Sequence, residues 1–216
     1  MKQPLPFLLL LTAANMAFAQ EATIADKGFS LAVRGGWSYR TAKIYSDLPS
    51  EAREHLKGLR SGYHIGGDAV YYFSEYFGVG VNYTMARFQN TSYETIKDDI
   101  MINYVGPAVH GRYAFANQKL HFIYGISLGY LHYKDDAFYE QSLTYTGQTF
   151  GIATNLGIHL SVNDHFLIGI EPSLISGTLN KVEISSGRQT ETVEFEEDER
   201  ENISQMNVAL KLTWNF

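Results

Sequence analysis

Cysteine is absent from this chain of 216 residues, which excludes disulfide frameworks and thiolate metal sites. Proline is scarce at five residues, and beyond the N-terminus no apolar run reaches the roughly 18 residues that a membrane-spanning helix needs. Basic residues are few: 17 Lys and Arg stand against 23 Asp and Glu, so nucleic acid is not an expected partner. Gly, Tyr and Phe are abundant, with 19, 15 and 13 copies. This composition favours a glycine-punctuated all-β protein.

The N-terminal segment has the pattern of a secretory signal peptide. Lys2 precedes an apolar core at residues 5–11, and Ala17-Phe18-Ala19 supplies the small residues that a signal peptidase reads. We therefore expect residues 1–19 to be removed and residues 20–216 to form one domain. The alternative, an uncleaved membrane anchor, is disfavoured because the apolar core is too short to span a bilayer. Export of a cysteine-free chain fits a bacterial envelope.

The rest of the chain alternates between apolar and polar residues, most clearly at the C-terminus. One face of the last segment carries Met206, Val208, Leu210, Leu212, Trp214 and Phe216. Six apolar positions at a period of two predict a strand rather than a helix. The same period recurs at residues 29–39, 63–73, 77–86, 100–115, 120–130, 150–162 and 166–179. The sequence thus predicts eight strands, longer than those of a usual globular sheet.

Short and long connections alternate between these strands. Tight turns are predicted at residues 74–76, 116–118 and 163–165, and long polar connections at 41–60, 89–98, 134–144 and 180–200. Turns should therefore lie at one end of the sheet and loops at the other. The first loop includes a segment with helix signals that ends at Gly58. Pro107 marks the expected position of a β-bulge, because proline cannot donate a ladder hydrogen bond.

The less apolar strand face indicates the class of barrel. It carries mainly Gly, Ala, Ser, Asn and Thr, small side chains that suit the crowded interior of a narrow barrel. The opposite face is bulky, with aromatic residues near the strand ends, as a lipid interface requires. We predict an eight-stranded antiparallel up-and-down transmembrane β-barrel. The alternative is a soluble lipocalin-like barrel with its apolar face inside, which would bind an apolar ligand.

The alternating last strand ends on Trp214 and the terminal Phe216, and this pattern resembles the small eight-stranded outer-membrane β-barrels of Gram-negative bacteria (OmpA-like and OmpX-like). The resemblance covers about residues 28–216. It implies an outer-membrane location, contact with outer-membrane lipid and lipopolysaccharide, and long extracellular loops that could meet a partner. It also implies that Trp214 and Phe216 belong to the signal that the barrel-assembly machinery reads.

Inward-facing charges are the candidate functional residues. Strand parity places Arg34, Asp68, Glu171 and Lys211 inside at similar depth, with Asn82 beside them. Two positive and two negative groups in a narrow lumen should pair, because an unpaired buried charge is costly. We expect one ion-pair cluster that closes the lumen. The function predicted is a structural or surface-interaction barrel, and the alternative is a narrow channel for ions or small solutes.

The sequence predicts no enzyme, metal or cofactor site. Four histidines are predicted to face inward: His64, His110, His121 and His159. Their spacing in the sequence does not match that of zinc ligands. His159-Leu160-Ser161 is similar to the His-x-Ser element of barrel-type lipid A deacylases, but no acidic residue follows at a spacing that would orient the histidine. The acidic run at 191–201 lacks the pattern of a calcium loop and is expected to be solvated, with divalent-cation binding as the alternative.

Overall fold

The computed structural model describes residues 27–44, 48–92, 96–115, 119–138, 142–187, 189–197 and 200–216. The predicted signal peptide and the predicted turn at 116–118 lie outside these residues. Among the described residues, no helix is long and apolar enough to cross a membrane.

The described part of the chain forms one short helix and eleven strands. The strands are β1 (Gly28–Arg40), β2 (Ser61–Tyr72), β3 (Phe77–Ser92), β4 (Ile96–Phe115), β5 (Leu120–Phe138), β6 (Ser142–Ser161), β7 (Phe166–Leu179), β8 (Lys181–Ser186), β9 (Gln189–Glu194), β10 (Glu201–Asn202) and β11 (Gln205–Asn215). The helix, α1, spans Ser50–Gly58 between β1 and β2.

Strands β1 to β7 and β11 close into a barrel in which each strand is antiparallel to both neighbours. β11 pairs with both β7 and β1, and β6 pairs with β7, so the ladder of these eight strands closes on itself. Gly36 allows a close approach at the seam, where an added Cβ would lie 2.0 Å from the backbone oxygen of Val208. The predicted eight-stranded antiparallel barrel is confirmed.

The apolar face of the wall points outward. Leu128, Ile158 and Leu210 are 64%, 60% and 56% exposed, whereas the charged residues predicted to face inward are buried. A lipocalin-like barrel would show the opposite arrangement, so that alternative is wrong. An outward apolar band is the surface that a bilayer covers.

Exposed aromatic rings border this band at both ends. Those at the turn end belong to Phe29, Tyr71, Phe73, Phe77, Phe115, Phe166, Trp214 and Phe216, and those toward the outer end to Trp37, Tyr63, Tyr130 and Phe150. Such girdles mark the two lipid–water interfaces.

Beyond the outer girdle, the outward side chains include charged pairs. Arg87 and Asp99 pair at 2.5 Å, and so do Lys134 and Asp136. Hydrogen bonding from the Arg87 guanidinium lowers the pKa of Asp99. The wall therefore continues into water at this end.

Two predicted loops are largely extensions of barrel strands, and a third, at 180–200, contains the β8–β9 hairpin, so these predictions are corrected. β3 reaches Ser92 and β4 begins at Ile96, while β5 reaches Phe138 and β6 begins at Ser142. Polar residues in these segments predicted loops at 89–98 and 134–144. Their polarity instead reflects a wall that stands in water, where the outer strand face needs no apolar residues.

The predicted bulge at Pro107 is also wrong. Pro107 pairs in register with Val81, and the β4–β5 register is the same on either side of it. A bulge occurs instead after β7, because the β6 partners shift by one residue between Gly177 and Glu183. The extra residue reverses the parity, so that even-numbered residues of β8 face inward.

The helix predicted to end at Gly58 is confirmed as α1. Its N-cap is Pro49, which offers no side-chain bond, so its stability depends on tertiary contacts rather than on capping.

We predict that Leu210→Arg lowers the free energy of unfolding by about 2–4 kcal/mol, because it places a charge near the middle of the lipid-facing band. Denaturant titration in lipid vesicles measures this change. The control is Ser142→Arg, at an exposed outer strand end, where about 0–1 kcal/mol is expected. Equal costs for the two variants would contradict the assigned membrane band.

Candidate functional site in the barrel lumen

The four predicted lumen charges come from four neighbouring strands at the barrel seam. Arg34 on β1 lies directly opposite Lys211 on β11. Asp68 on β2 pairs in the ladder with Ala32, two residues before Arg34 in β1. Glu171 on β7 pairs with Ala209, two residues before Lys211 in β11. The two carboxylates therefore flank the cations, one on the turn side and one on the outer side.

Each cation contacts both carboxylates. Arg34 Nη1 lies 2.9 Å from Asp68 Oδ2 and 3.3 Å from Glu171 Oε1. Lys211 Nζ lies 2.6 Å from Asp68 Oδ2 and 2.7 Å from Glu171 Oε2. The structure thus brings all four residues into one ring of alternating charge, including pairs from strands that are not adjacent.

Neutral side chains complete the hydrogen bonding of the charged groups in this ring. Arg34 Nη2 donates to Asn82 Oδ1 and to Thr84 Oγ1, both at 2.7 Å, and Asn155 Nδ2 donates to Glu171 Oε2 at 3.0 Å. The four charged side chains are at most 3% exposed. Buried ions contribute to a stable state only when each is paired and hydrogen-bonded in this way.

A second, apolar layer fills the outer part of the lumen, and it was not predicted. Inward-facing side chains of the outer strand halves pack there with residues from α1, β8 and the segment before β11. The buried members are Leu59, Ala86, Phe88, Ile100, Ile102, Tyr104, Leu131, Tyr133, Ala153, Ile175, Leu179, Val182 and Ile203. We call this set the outer apolar core.

One signal for the outer apolar core is present in the sequence. The inward parity of β5 runs through Ile123, Gly125 and Ser127, and its continuation reaches Leu131 and Tyr133. Small residues along the membrane part of the lumen give way to large ones further out. A strand whose lumen face changes from small to bulky indicates that the lumen is capped there.

Little space is left beside the ion pairs. A cavity lined by Asp68, Lys211, His110 and six other residues measures about 10 Å³. A water molecule needs about this much space or more, so the cavity accommodates no solute.

The four inward histidines do not meet at one point. His64 Nδ1 lies 3.1 Å from Ser38 Oγ, and His121 Nε2 lies 2.8 Å from Ser161 Oγ. No group of three or more His, Asp or Glu within the described ranges is arranged to hold a metal ion.

The His-x-Ser element is not assembled as a nucleophile and base. Ser161 contacts His121 on the neighbouring strand, and neither ring nitrogen of His159 has a hydrogen-bond partner among the described residues. The acidic run continues from β9 as exposed carboxylates at Glu191, Glu194, Glu196 and Glu197, while positions 198 and 199 lie outside the described residues.

The amino-acid sequence identifies the family to which this chain belongs. The family model of the outer membrane protein beta-barrel domain matches residues 5–216. The chain belongs to this family. It is therefore an outer-membrane protein of Gram-negative bacteria. No curated protein is significantly similar to it in sequence.

Solved structures with the same fold are small outer-membrane proteins. Neisserial surface protein A is 12% identical, with a TM-score of 0.60 over 90% of this chain and 100% of that one. OprG from Pseudomonas aeruginosa is 13% identical, with a TM-score of 0.56 over 89% and 98%. Ail from Yersinia pestis is 14% identical, with a TM-score of 0.51 over 88% and 100%. At these identities the likeness establishes the fold alone.

We predict that Lys211→Met lowers the free energy of unfolding by about 3–5 kcal/mol, because Asp68 and Glu171 then share a single cation in a buried site. Lys181→Met is the control, since Lys181 is exposed at the start of β8. Its expected change is within about 0.5 kcal/mol. Denaturant unfolding in vesicles measures both, and a neutral Lys211→Met would contradict an energetic role for the ring.

Proposed function

We propose that the protein is a structural and surface-interaction barrel whose lumen is closed to solutes. The observation that carries this proposal is the filling of the lumen at two levels. The ion-pair ring occupies the membrane part, and the outer apolar core occupies the part above it. A channel would require both layers to open in the same molecule.

The two layers resist permeation for different physical reasons. A hydrated ion passing the ring would have to separate Arg34 and Lys211 from their carboxylates, leaving buried charges unpaired. The same ion would then lose water again on passing between the packed apolar side chains of the outer apolar core. The channel alternative is therefore disfavoured, and the outer surface is left as the place where the protein interacts.

The outer surface is acidic along the β8–β9 ribbon. Its exposed carboxylates belong to Glu183, Glu191, Glu194, Glu196 and Glu197. Such a surface favours an extracellular partner of positive charge and repels polyanions. We assign the surface-interaction role to this ribbon.

The C-terminal strand supports an assembly role for Trp214 and Phe216. Their rings stack at 5.1 Å, and Trp214 also stacks on Phe166 at 5.3 Å. Together they form part of the girdle at the turn end of β11, the strand that closes the barrel. We propose that the barrel-assembly machinery reads this strand and that the girdles contact outer-membrane lipid and lipopolysaccharide.

We predict that the purified protein gives no steady conductance in planar lipid bilayers at neutral pH. Lys211→Ala should remain closed as well, because the outer apolar core lies in series with the ring. An open porin of known conductance, added to the same bilayer, is the control for insertion and detection. Stable single-channel steps from the wild-type protein would overturn the closed barrel in favour of a channel.

A further inference from the structure

A polar cavity opens on the outward face of the wall, just beyond the outer aromatic girdle. It measures about 130 Å³ and is lined by His132, Thr146, Gly147, Gln148, Lys181 and Glu183. A buried water molecule needs about 10–15 Å³, so this cavity has room for a larger polar group. Because it lies on the outward face, the cavity is separate from both the ion-pair ring and the outer apolar core.

The cavity lies where β6 changes its partner strand. β6 pairs with β7 as far out as Gly151, and it pairs with β8 from Thr146, which lies opposite Glu183. The bulge after β7 interrupts the ladder between these positions and separates the neighbouring strands locally. β8 runs outward from this point, and its odd-numbered residues face outward, which brings Lys181 and Glu183 to the cavity.

The aromatic girdle fixes the depth of the cavity relative to the bilayer. Tyr130 and Phe150 lie opposite each other on β5 and β6, with ring centroids 6.4 Å apart, and Phe150 is 83% exposed. His132 and Gln148 form the next outward-facing pair on the same two strands. The cavity therefore begins one outward-facing residue beyond the girdle, at the depth of the lipid headgroups.

Lys181 and Glu183 present opposite charges to the cavity in a fixed order. Lys181 is nearer the girdle, and Glu183 is two residues farther out, about 7 Å along the strand. Within the described part of the chain, neither side chain forms an ion pair or a hydrogen bond. Lys134 and Asp136, with the same spacing on β5, instead pair with each other at 2.5 Å. The cavity thus offers a cation and a carboxylate that a zwitterionic ligand could pair with.

Neutral donors stand beside Lys181 on the same side of the cavity. The Tyr130 hydroxyl donates to Gln148 Oε1, which leaves the amide nitrogen of Gln148 as a donor toward the cavity. Phosphate oxygens accept strong hydrogen bonds from ammonium and amide groups of this kind. An ionised Glu183 only accepts, so it suits a ligand group that donates, such as a primary ammonium.

We propose that this cavity binds a phosphoethanolamine group carried by a lipid of the outer leaflet. The phosphate, which is nearer the acyl chains, accepts from Lys181 and Gln148, and the ammonium at the free end donates to Glu183. The order of charges along β8 therefore matches the order of charges in the ligand. This inference goes beyond the proposed function and does not depend on it, because the closed lumen lies on the other face of the wall.

Native mass spectrometry of the purified protein with added lipids tests the site. Phosphatidylethanolamine competes with phosphatidylcholine of identical acyl chains, and lipid A bearing phosphoethanolamine competes with unmodified lipid A. We predict one retained lipid and a preference of about tenfold for the ethanolamine form, because the other form lacks the hydrogen bond to the Glu183 carboxylate. A preference in one competition identifies the carrier of the group, and no preference in either would overturn the site.

Variants of exposed residues identify the groups responsible without disturbing the barrel. Glu183→Gln should abolish the preference, and so should Lys181→Glu combined with Glu183→Lys, which keeps the net charge and reverses the order of charges. The matched control is Asp136→Asn, which removes an outward carboxylate that pairs with Lys134, and it should keep the preference. Heat-dependent gel mobility verifies that each variant is folded. Equal losses in Asp136→Asn and Glu183→Gln would contradict recognition by this cavity.

A second measurement locates the lipid on the unsubstituted protein. In phosphatidylcholine nanodiscs that contain a small fraction of phosphatidylethanolamine, nuclear Overhauser effects should connect the ethanolamine methylene protons with Thr146 and His132. Met85 serves as the reference, because it lies in the same ladder row as His132 but two strands away from it. Effects of equal intensity at Met85 and Thr146 would indicate bulk lipid and would overturn the site.

Discussion

In hydrocarbon, a backbone amide has no water to bond with, so each N–H and C=O must find its partner within the protein. For a chain of strands, the only solution is a closed ladder. Here closure depends on β11, which pairs along its length with both β7 and β1. The other features of the molecule follow from this ring of eight strands.

Closing eight strands leaves a lumen that side chains fill. Small residues line most of the membrane part, and Gly36 lets backbones approach at the seam. The polar interior is tolerated because the charges of Arg34, Asp68, Glu171 and Lys211 satisfy one another. A narrow barrel is thereby closed by the side chains that stabilise it, which explains why the geometry favours a surface role over transport.

The wall does not end at the outer lipid interface. β3 to β6 continue into water and enclose a core like that of a soluble protein, and Leu56 of α1 packs against that core. The alternation of bulky and small side chains therefore changes its orientation along a single strand. In the membrane the bulky face points outward to lipid, and beyond it the bulky face points inward.

The sequence by itself determined the number of barrel strands, the outward apolar face, the position of α1 and the inward parity of the four lumen charges. It could do so because a period of two specifies which face each residue occupies, whichever strands become neighbours. It did not determine that Arg34 contacts Glu171, that the bulge follows β7, or that 89–98 and 134–144 are largely strand. Those features depend on register, tilt and distance across the lumen, which arise only when strands far apart in the chain close into one barrel.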